Sequence, residues 1–343
     1  MKWLVTGGLG FIGTNLVEHL INQGHDVSII DDLSREGVVI NETYIKNKFG
    51  ISNNKIDITK KNQLDYFFKN NSDFDVIAHL AGQVSFLRSI SDPYRDFEVN
   101  AIGTLNILEH VRKHSKQSLV IGISSNKIYG DLDQIEFEET TKRYQLPSFP
   151  NGFNETLPLS LEGPYGCSKG VLEQYLIDYA RIYNLKTVSL RQSSVYGPHQ
   201  HPMSDQGWVA FIVKEAIKGN KIKLNGFGKQ VRDLLHAKDL AKLFTKLEQT
   251  VRPGETNFFN VGGGATNSLS ILELFELLHS KGFDNFEYEV GEFRSRDQKV
   301  FISDNTKVNQ FCGWAPEIDA RDGITEMIAS ELGPSKVGTL NGQ

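Results

Sequence analysis

Tyr165 and Lys169, in the run PYGCSK, stand four residues apart at the head of GVLEQYLIDYARIY, whose apolar spacing predicts a helix. Four residues is about one helical turn, so the two side chains share a face. A phenol with an ordinary pKa near 10 is a poor base at neutral pH, and neighbouring cations favour its ionised form. Bringing it to about 7 requires roughly 4 kcal/mol of differential stabilisation, which the Lys169 ammonium and an oxidised nicotinamide would supply in a water-poor cleft. Ser125 ends SLVIGISS, a predicted strand, and its hydroxyl would bond the substrate oxygen that Tyr165 deprotonates. Ser125, Tyr165 and Lys169 are therefore the expected catalytic residues, suited to oxidising a carbinol by loss of a proton and a hydride.

Asn126 and Lys127 follow Ser125 directly. An amide has no proton to release, and a lysine has an ordinary pKa near 10.4, so neither position offers an acid and base for expelling water. Reversible hydride transfer is what remains. The predicted substrate contacts are Asn126, Lys127, Ser194 and Gln206.

These residues need a scaffold and a cofactor. The runs KWLVTG, DVSIID, DVIAHLAG, SLVIGISS and TVSLRQSS alternate with helical patterns, which predicts βαβ units and a doubly wound parallel sheet of the Rossmann type, an α/β fold. In TGGLGFIG, Gly7, Gly10 and Gly13 sit between the first strand and the helix FIGTNLVEHLIN, so that Gly7, Gly10, Phe11, Ile12 and Gly13 would cradle a pyrophosphate. Asp31 ends the second strand and offers an acceptor to both ribose hydroxyls while repelling a 2′-phosphate, which selects NAD over NADP. Residues 1–195 form the expected NAD-binding domain with the catalytic residues. Residues 196–330 form most of a smaller mixed substrate-binding lobe with a discontinuous boundary, and residues 331–343 a flexible tail.

Composition narrows the partners. With 343 residues, 39% apolar and 23% charged, the chain can bury a large core, and its formal charge of −5 gives no footprint for nucleic acid. No apolar run approaches bilayer length and the opening one is short for a signal peptide, so a cytoplasmic protein without membrane contact is expected. Cys167 and Cys312 make no disulfide framework; Cys167 reads as a packing thiol. His199 and His201 have no third ligand spaced nearby, so no metal is expected.

From the glycine loop through RDLLHAKDLA to RSRDQKVFISD, the chain resembles the extended short-chain dehydrogenase/reductases that act on sugar nucleotides. That resemblance implies that Asp57 and Ile58 lie by the adenine and that Leu80, Ala81 and Gly82 line the cofactor. It further implies that Asn100 supports the centre, that Tyr165 and Lys169 also touch NAD, and that Arg232 and Arg294 grip the substrate diphosphate. Planar guanidinium forks suit that last contact. The 4,6-dehydratases of this group carry an Asp-Glu pair after the catalytic hydroxyl residue, where this chain has Asn126 and Lys127. The runs SSNKIYGDL, EETTKRYQLPSFPNGFNET, PYGCSKG, DQGW and NGFGKQVRDLLHAKDL resemble the CDP-paratose 2-epimerases most closely, with Ser125 in place of a threonine. That resemblance implies an NAD-dependent isomerase acting on a CDP-linked deoxysugar, as a homodimer or homotetramer. A 4-epimerase or 4-ketoreductase of the same family is the alternative. A non-catalytic NAD-binding regulator is disfavoured by the retained Ser125, Tyr165 and Lys169.

Overall fold

The computed structural model describes residues 1–203, 205–293 and 297–332. Seven parallel strands form the main sheet, in the spatial order Asn53–Lys55, Asp26–Asp31, Lys2–Thr6, Val76–His79, Leu119–Ser125, Lys186–Gln192 and Thr256–Val261. The chain starts in the middle, winds to one edge and returns to build the other, the doubly wound topology whose ligands bind at the carboxyl ends of the strands. Alternation along each strand divides two apolar layers. Trp3 and Val5 face a core with Ile29, Leu16 and Leu20, whereas Leu4 faces one with Ile30, Ile77, Leu172 and Leu176. All five strands expected from the sequence are present.

Two strands were not legible. Asn53–Lys55 is three polar residues, too short and too hydrophilic to show a pattern. The second belongs to a segment assigned to the wrong domain. Helix Ala237–Thr250 and strand Thr256–Val261 were expected in the substrate lobe, but Leu240, Phe244, Leu247, Phe259 and Val261 join the core of Leu16 and Val17. They complete the domain built on the seven-stranded sheet.

The lobe packs helices Trp208–Lys218, Ile271–Ser280 and Ala320–Leu332 around Ile212, Val213, Leu274, Leu278 and Ile324. A small mixed sheet joins Ser268–Ser270, Val231–His236, Val300–Phe301 and Ser194–Tyr196. The last helix continues through Glu331 and Leu332, the first residues of the expected tail; Glu331 pairs with Lys214 at 3.2 Å. Residues 333–343 lie outside the described residues. The long segment between Tyr129 and Tyr165 is built into the fold: Leu132, Leu146 and Phe153 share a core with Val231, Val300 and Phe301. Phe153 also exchanges backbone hydrogen bonds with Ile302 and Asp304, at 2.7 and 2.9 Å.

Candidate active site

The nucleotide half begins at helix Phe11–Asn22, whose N-cap Gly10 supplies no side-chain cap and whose first turn holds no acid. Its orphan N–H groups and positive dipole end therefore remain for an anion. A Cβ on Gly7, at φ +65°, would come within 2.6 Å of the Ala81 nitrogen, and one on Gly13 within 2.2 Å of the Gly7 oxygen. Only glycine fits either position, and the backbone is thereby laid bare to a pyrophosphate. Asp31 is buried and accepts from Leu9 N–H at 3.1 Å and Leu33 N–H at 2.9 Å. Burial raises its pKa, and those two N–H groups oppose the rise. The adenine-side expectation splits. Asp57 is held by Thr59 N–H and by Arg95 at 3.1 Å, but the Ile58 side chain is buried in the core, its Cδ1 only 2.4 Å from where a Gly103 Cβ would lie. Ile58 can meet a cofactor through its backbone alone. Leu80 and Ala81 pass behind the glycine loop, where their N–H groups bond Thr6, and Gly82 lies beside Asn100 and Lys169. These residues fit a dinucleotide.

The catalytic half sits where strand Leu119–Ser125 ends. Ser125 caps the short 3₁₀ turn Asn126–Tyr129, its Oγ accepting from Lys127 N–H at 3.2 Å and donating to Asn126 Oδ1 at 3.3 Å, and its hydroxyl lowers the pKa of the Tyr165 phenol. Tyr165 and Lys169 share one face of helix Gly163–Tyr183, as the spacing requires. Leu172 and Leu176 anchor that helix in the core, each contributing about 1.5–3 kcal/mol of burial. One turn further, Glu173 receives Arg191 at 2.7 Å; both are almost wholly buried, and Arg191 also donates to Tyr129 OH at 2.7 Å. This network locks the helix to the turn that follows Ser125.

The electrostatics differ from expectation in one respect. Burial pushes the Tyr165 phenol up to about 12, while Ser125 and Arg35 pull it down and Asp96 pushes it up. Lys169 donates to the Ile123 carbonyl at 2.9 Å, and burial brings its pKa down to about 8 against the opposing Asp96. Among the described residues, the cation that lowers the pKa of the phenol is Arg35, whose guanidinium extends from the loop after the second strand to Gln206.

On the substrate side, Asn126 donates to the buried Gln298 Oε1 at 2.9 Å, and Gln298 returns a bond to the Asn126 carbonyl at 3.2 Å. Lys127 and Arg232 converge on one Asp297 oxygen, at 2.9 and 2.8 Å. The structure thus brings Ser125, Asn126, Lys127, Tyr165, Lys169 and Arg232 into one region. Gln206, at the far wall, accepts from Arg35, and Ser194 begins the strand paired with Leu234. Arg294 lies outside the described residues. Trp208 opens helix Trp208–Lys218, and Cys167, expected to pack, is exposed because the residue two after Tyr165 faces away from the core. His199 and His201 bond Glu18 and Asn41, and no metal-holding cluster occurs among the described residues.

Sequence reasoning missed Gln298, Asp297, Asp96 and Arg35. The RSRDQK run contained the first two, but nothing local ties them to Asn126 and Lys127, about half the chain away.

A model of the NAD dependent epimerase/dehydratase family matches residues 3–262. The chain is 40% identical over 332 residues to the CDP-paratose 2-epimerase of Salmonella typhi, covering 95% of this chain and 98% of that protein. It is 31% identical to a putative UDP-glucose 4-epimerase of Methanocaldococcus jannaschii, over 95% and 96% of the two chains. The structure of Thermus thermophilus UDP-glucose 4-epimerase in complex with NAD superposes with a TM-score of 0.79 at 28% identity, covering 97% of this chain and 100% of that one.

Proposed function

The chain belongs to the NAD dependent epimerase/dehydratase family, and from that premise we propose that it is a 2-epimerase converting CDP-paratose to CDP-tyvelose. The observation that carries this reading is the 40% identity, over nearly both full lengths, to a protein with that activity. The pinned Asn126 and Lys127 support it, because a dehydratase needs an acid and a base where this chain holds an amide and an ion-paired ammonium.

In this reading Tyr165, as phenolate, takes the proton of the C2 hydroxyl, and Ser125 hydrogen-bonds the same oxygen. Bound NAD supplies the acceptor for the C2 hydride and later its donor. Lys169 holds the nicotinamide ribose, with Asn100 behind it. Arg232, with Arg294, grips the diphosphate, while Asn126, Lys127, Ser194 and Gln206 contact the nucleotide sugar. The 2-keto sugar must then present its other face before hydride returns. Leu87, Ile90, Tyr94 and Phe97 are exposed on two consecutive short helices, an apolar surface that suits a homo-oligomer. The reading includes action in the cytoplasm; no helix among the described residues is long and apolar enough to cross a membrane.

A substrate panel tests this. CDP-paratose should be converted and UDP-glucose left unchanged, with products separated by chromatography. Conversion of UDP-glucose alone would replace the proposal with the 4-epimerase alternative, which the Methanocaldococcus relative favours.

A further inference from the structure

Asp96 is a fully buried carboxylate that the chemistry above does not use. It lies on the short helix Pro93–Phe97, two residues before the π-helical turn Glu98–Ile102 that carries Asn100. Its Oδ1 accepts from Gln83 Nε2 at 2.8 Å and from Asn100 Nδ2 at 3.3 Å, while Oδ2 makes no hydrogen bond among the described residues. Asn100 Nδ2 also donates to Ser168 Oγ at 3.0 Å, and Ser168 precedes Lys169. Asn100 Oδ1 and Lys169 Nζ both lie within 3.2 Å of the point a Gly82 Cβ would occupy. The carboxylate is thus one amide removed from the catalytic ammonium, in a place water does not reach.

We propose that Asp96 is a positioning residue of this centre, a fixed buried negative charge that keeps Lys169 an ammonium in the cofactor cleft. Burying an isolated carboxylate costs several kcal/mol, so a chain that needed only hydrogen bonds here would be better served by an amide. A buried lysine tends to lose its proton, and a nearby fixed anion opposes that loss. The directions agree: burial depresses Lys169 and Asp96 raises it, while burial raises Asp96 and Ser168, Lys169 and Gln83 lower it. The other groups facing Lys169 bring little competing charge. His79, from the adjacent strand, is held neutral with its pKa at about 3. Tyr165 is uncharged without cofactor, and Glu173, one turn along the helix, is paired with Arg191. Arg35 acts on Tyr165 from across the cleft.

Asp96 has this role only if Lys169 holds the nicotinamide ribose as proposed, but the sugar need not be known, so NAD affinity is the readout. Stripped protein should bind NAD with constant affinity at neutral pH and lose affinity as Lys169 deprotonates, near pH 8 or above, in calorimetric titrations. In Asp96→Asn, which keeps the shape and removes the charge, the loss should begin about one pH unit lower, the smaller end of what a neighbouring charge does. A fall at an unchanged pH in Asp96→Asn would show a merely structural role, and no alkaline fall in the parent would remove Lys169 from the argument; either overturns the proposal. Should Asp96→Asn fail to fold, Asp96→Ser purified in formate replaces it. Formate should then restore the alkaline limit and formamide should not; equal restoration by both would contradict a role for charge. Failure of the 2-epimerase reading would appear separately, as an unconverted sugar beside an intact NAD titration.

Discussion

The grouping of Ser125, Tyr165 and Lys169 was legible because one helix enforces the spacing of the last two and Ser125 ends a strand with a strong apolar pattern. Tyr165→Phe should keep NAD and fold while turnover falls about 10²- to 10⁴-fold, the usual loss when a general acid–base group is removed. Lys169→Met should lose both turnover and cofactor, as nucleotide released on acid extraction will show. The Ser125 hydroxyl lowers the Tyr165 pKa, so its loss in Ser125→Ala should move the rising limb of the pH–rate profile to higher pH. A rising limb unchanged in that variant would remove Ser125 from the phenol. What the residues did not disclose is who faces them. Asn126 reads as a substrate contact in sequence, and the sequence gives no sign that its Nδ2 also donates to Gln298, 172 positions away. Asn126→Asp would set a carboxylate against the Gln298 carbonyl oxygen; a loss of about 1–3 kcal/mol in denaturant unfolding is expected, with no dehydratase activity gained.

Elements with strong periodicity were readable, and those defined by distant partners were not. The five strands of alternating or continuous apolar residues and the uncapped glycine-loop helix all appear where expected. Asn53–Lys55 escaped because sheet pairing, not its own residues, makes it a strand, and Thr256–Val261 because adjacency in sequence suggested the lobe while its side chains belong to the main core. Two predictions belong here. Gly13→Ala forces a Cβ into backbone at 2.2 Å, so it should abolish NAD retention and lower stability by about 1–3 kcal/mol, read by cofactor content and thermal melting. Arg191→Met leaves Glu173 as an unpaired charge in the core, and the helix bearing Tyr165 loses its tie to the turn after Ser125. About 3–5 kcal/mol should be lost in chemical unfolding; a near-neutral effect would mean that the pair does not hold that helix.

As a whole, the molecule closes a lobe over the carboxyl edge of its sheet, and the contacts across that edge are polar and specific. Gln298 meets Asn126, Asp297 meets Lys127, and Asp205 accepts from Ser85 at 2.6 Å. Asn15 reaches the Pro198 carbonyl at 2.8 Å and Arg35 reaches Gln206, so Pro198 is tied to the helix after the glycine loop and Gln206 to the loop after the second strand. A cofactor so enclosed has no reason to leave between cycles that regenerate it, and the purified protein should contain mostly oxidised NAD. The same enclosure decides what happens to hydrogen. If Tyr165 removes only the hydroxyl proton and the hydride returns to the carbon it left, C2 never exchanges with water. The decisive measurement is therefore to incubate the enzyme with CDP-paratose in deuterated water and examine the product by NMR. CDP-tyvelose with no deuterium at C2 is the predicted result, and solvent deuterium at C2 would contradict it.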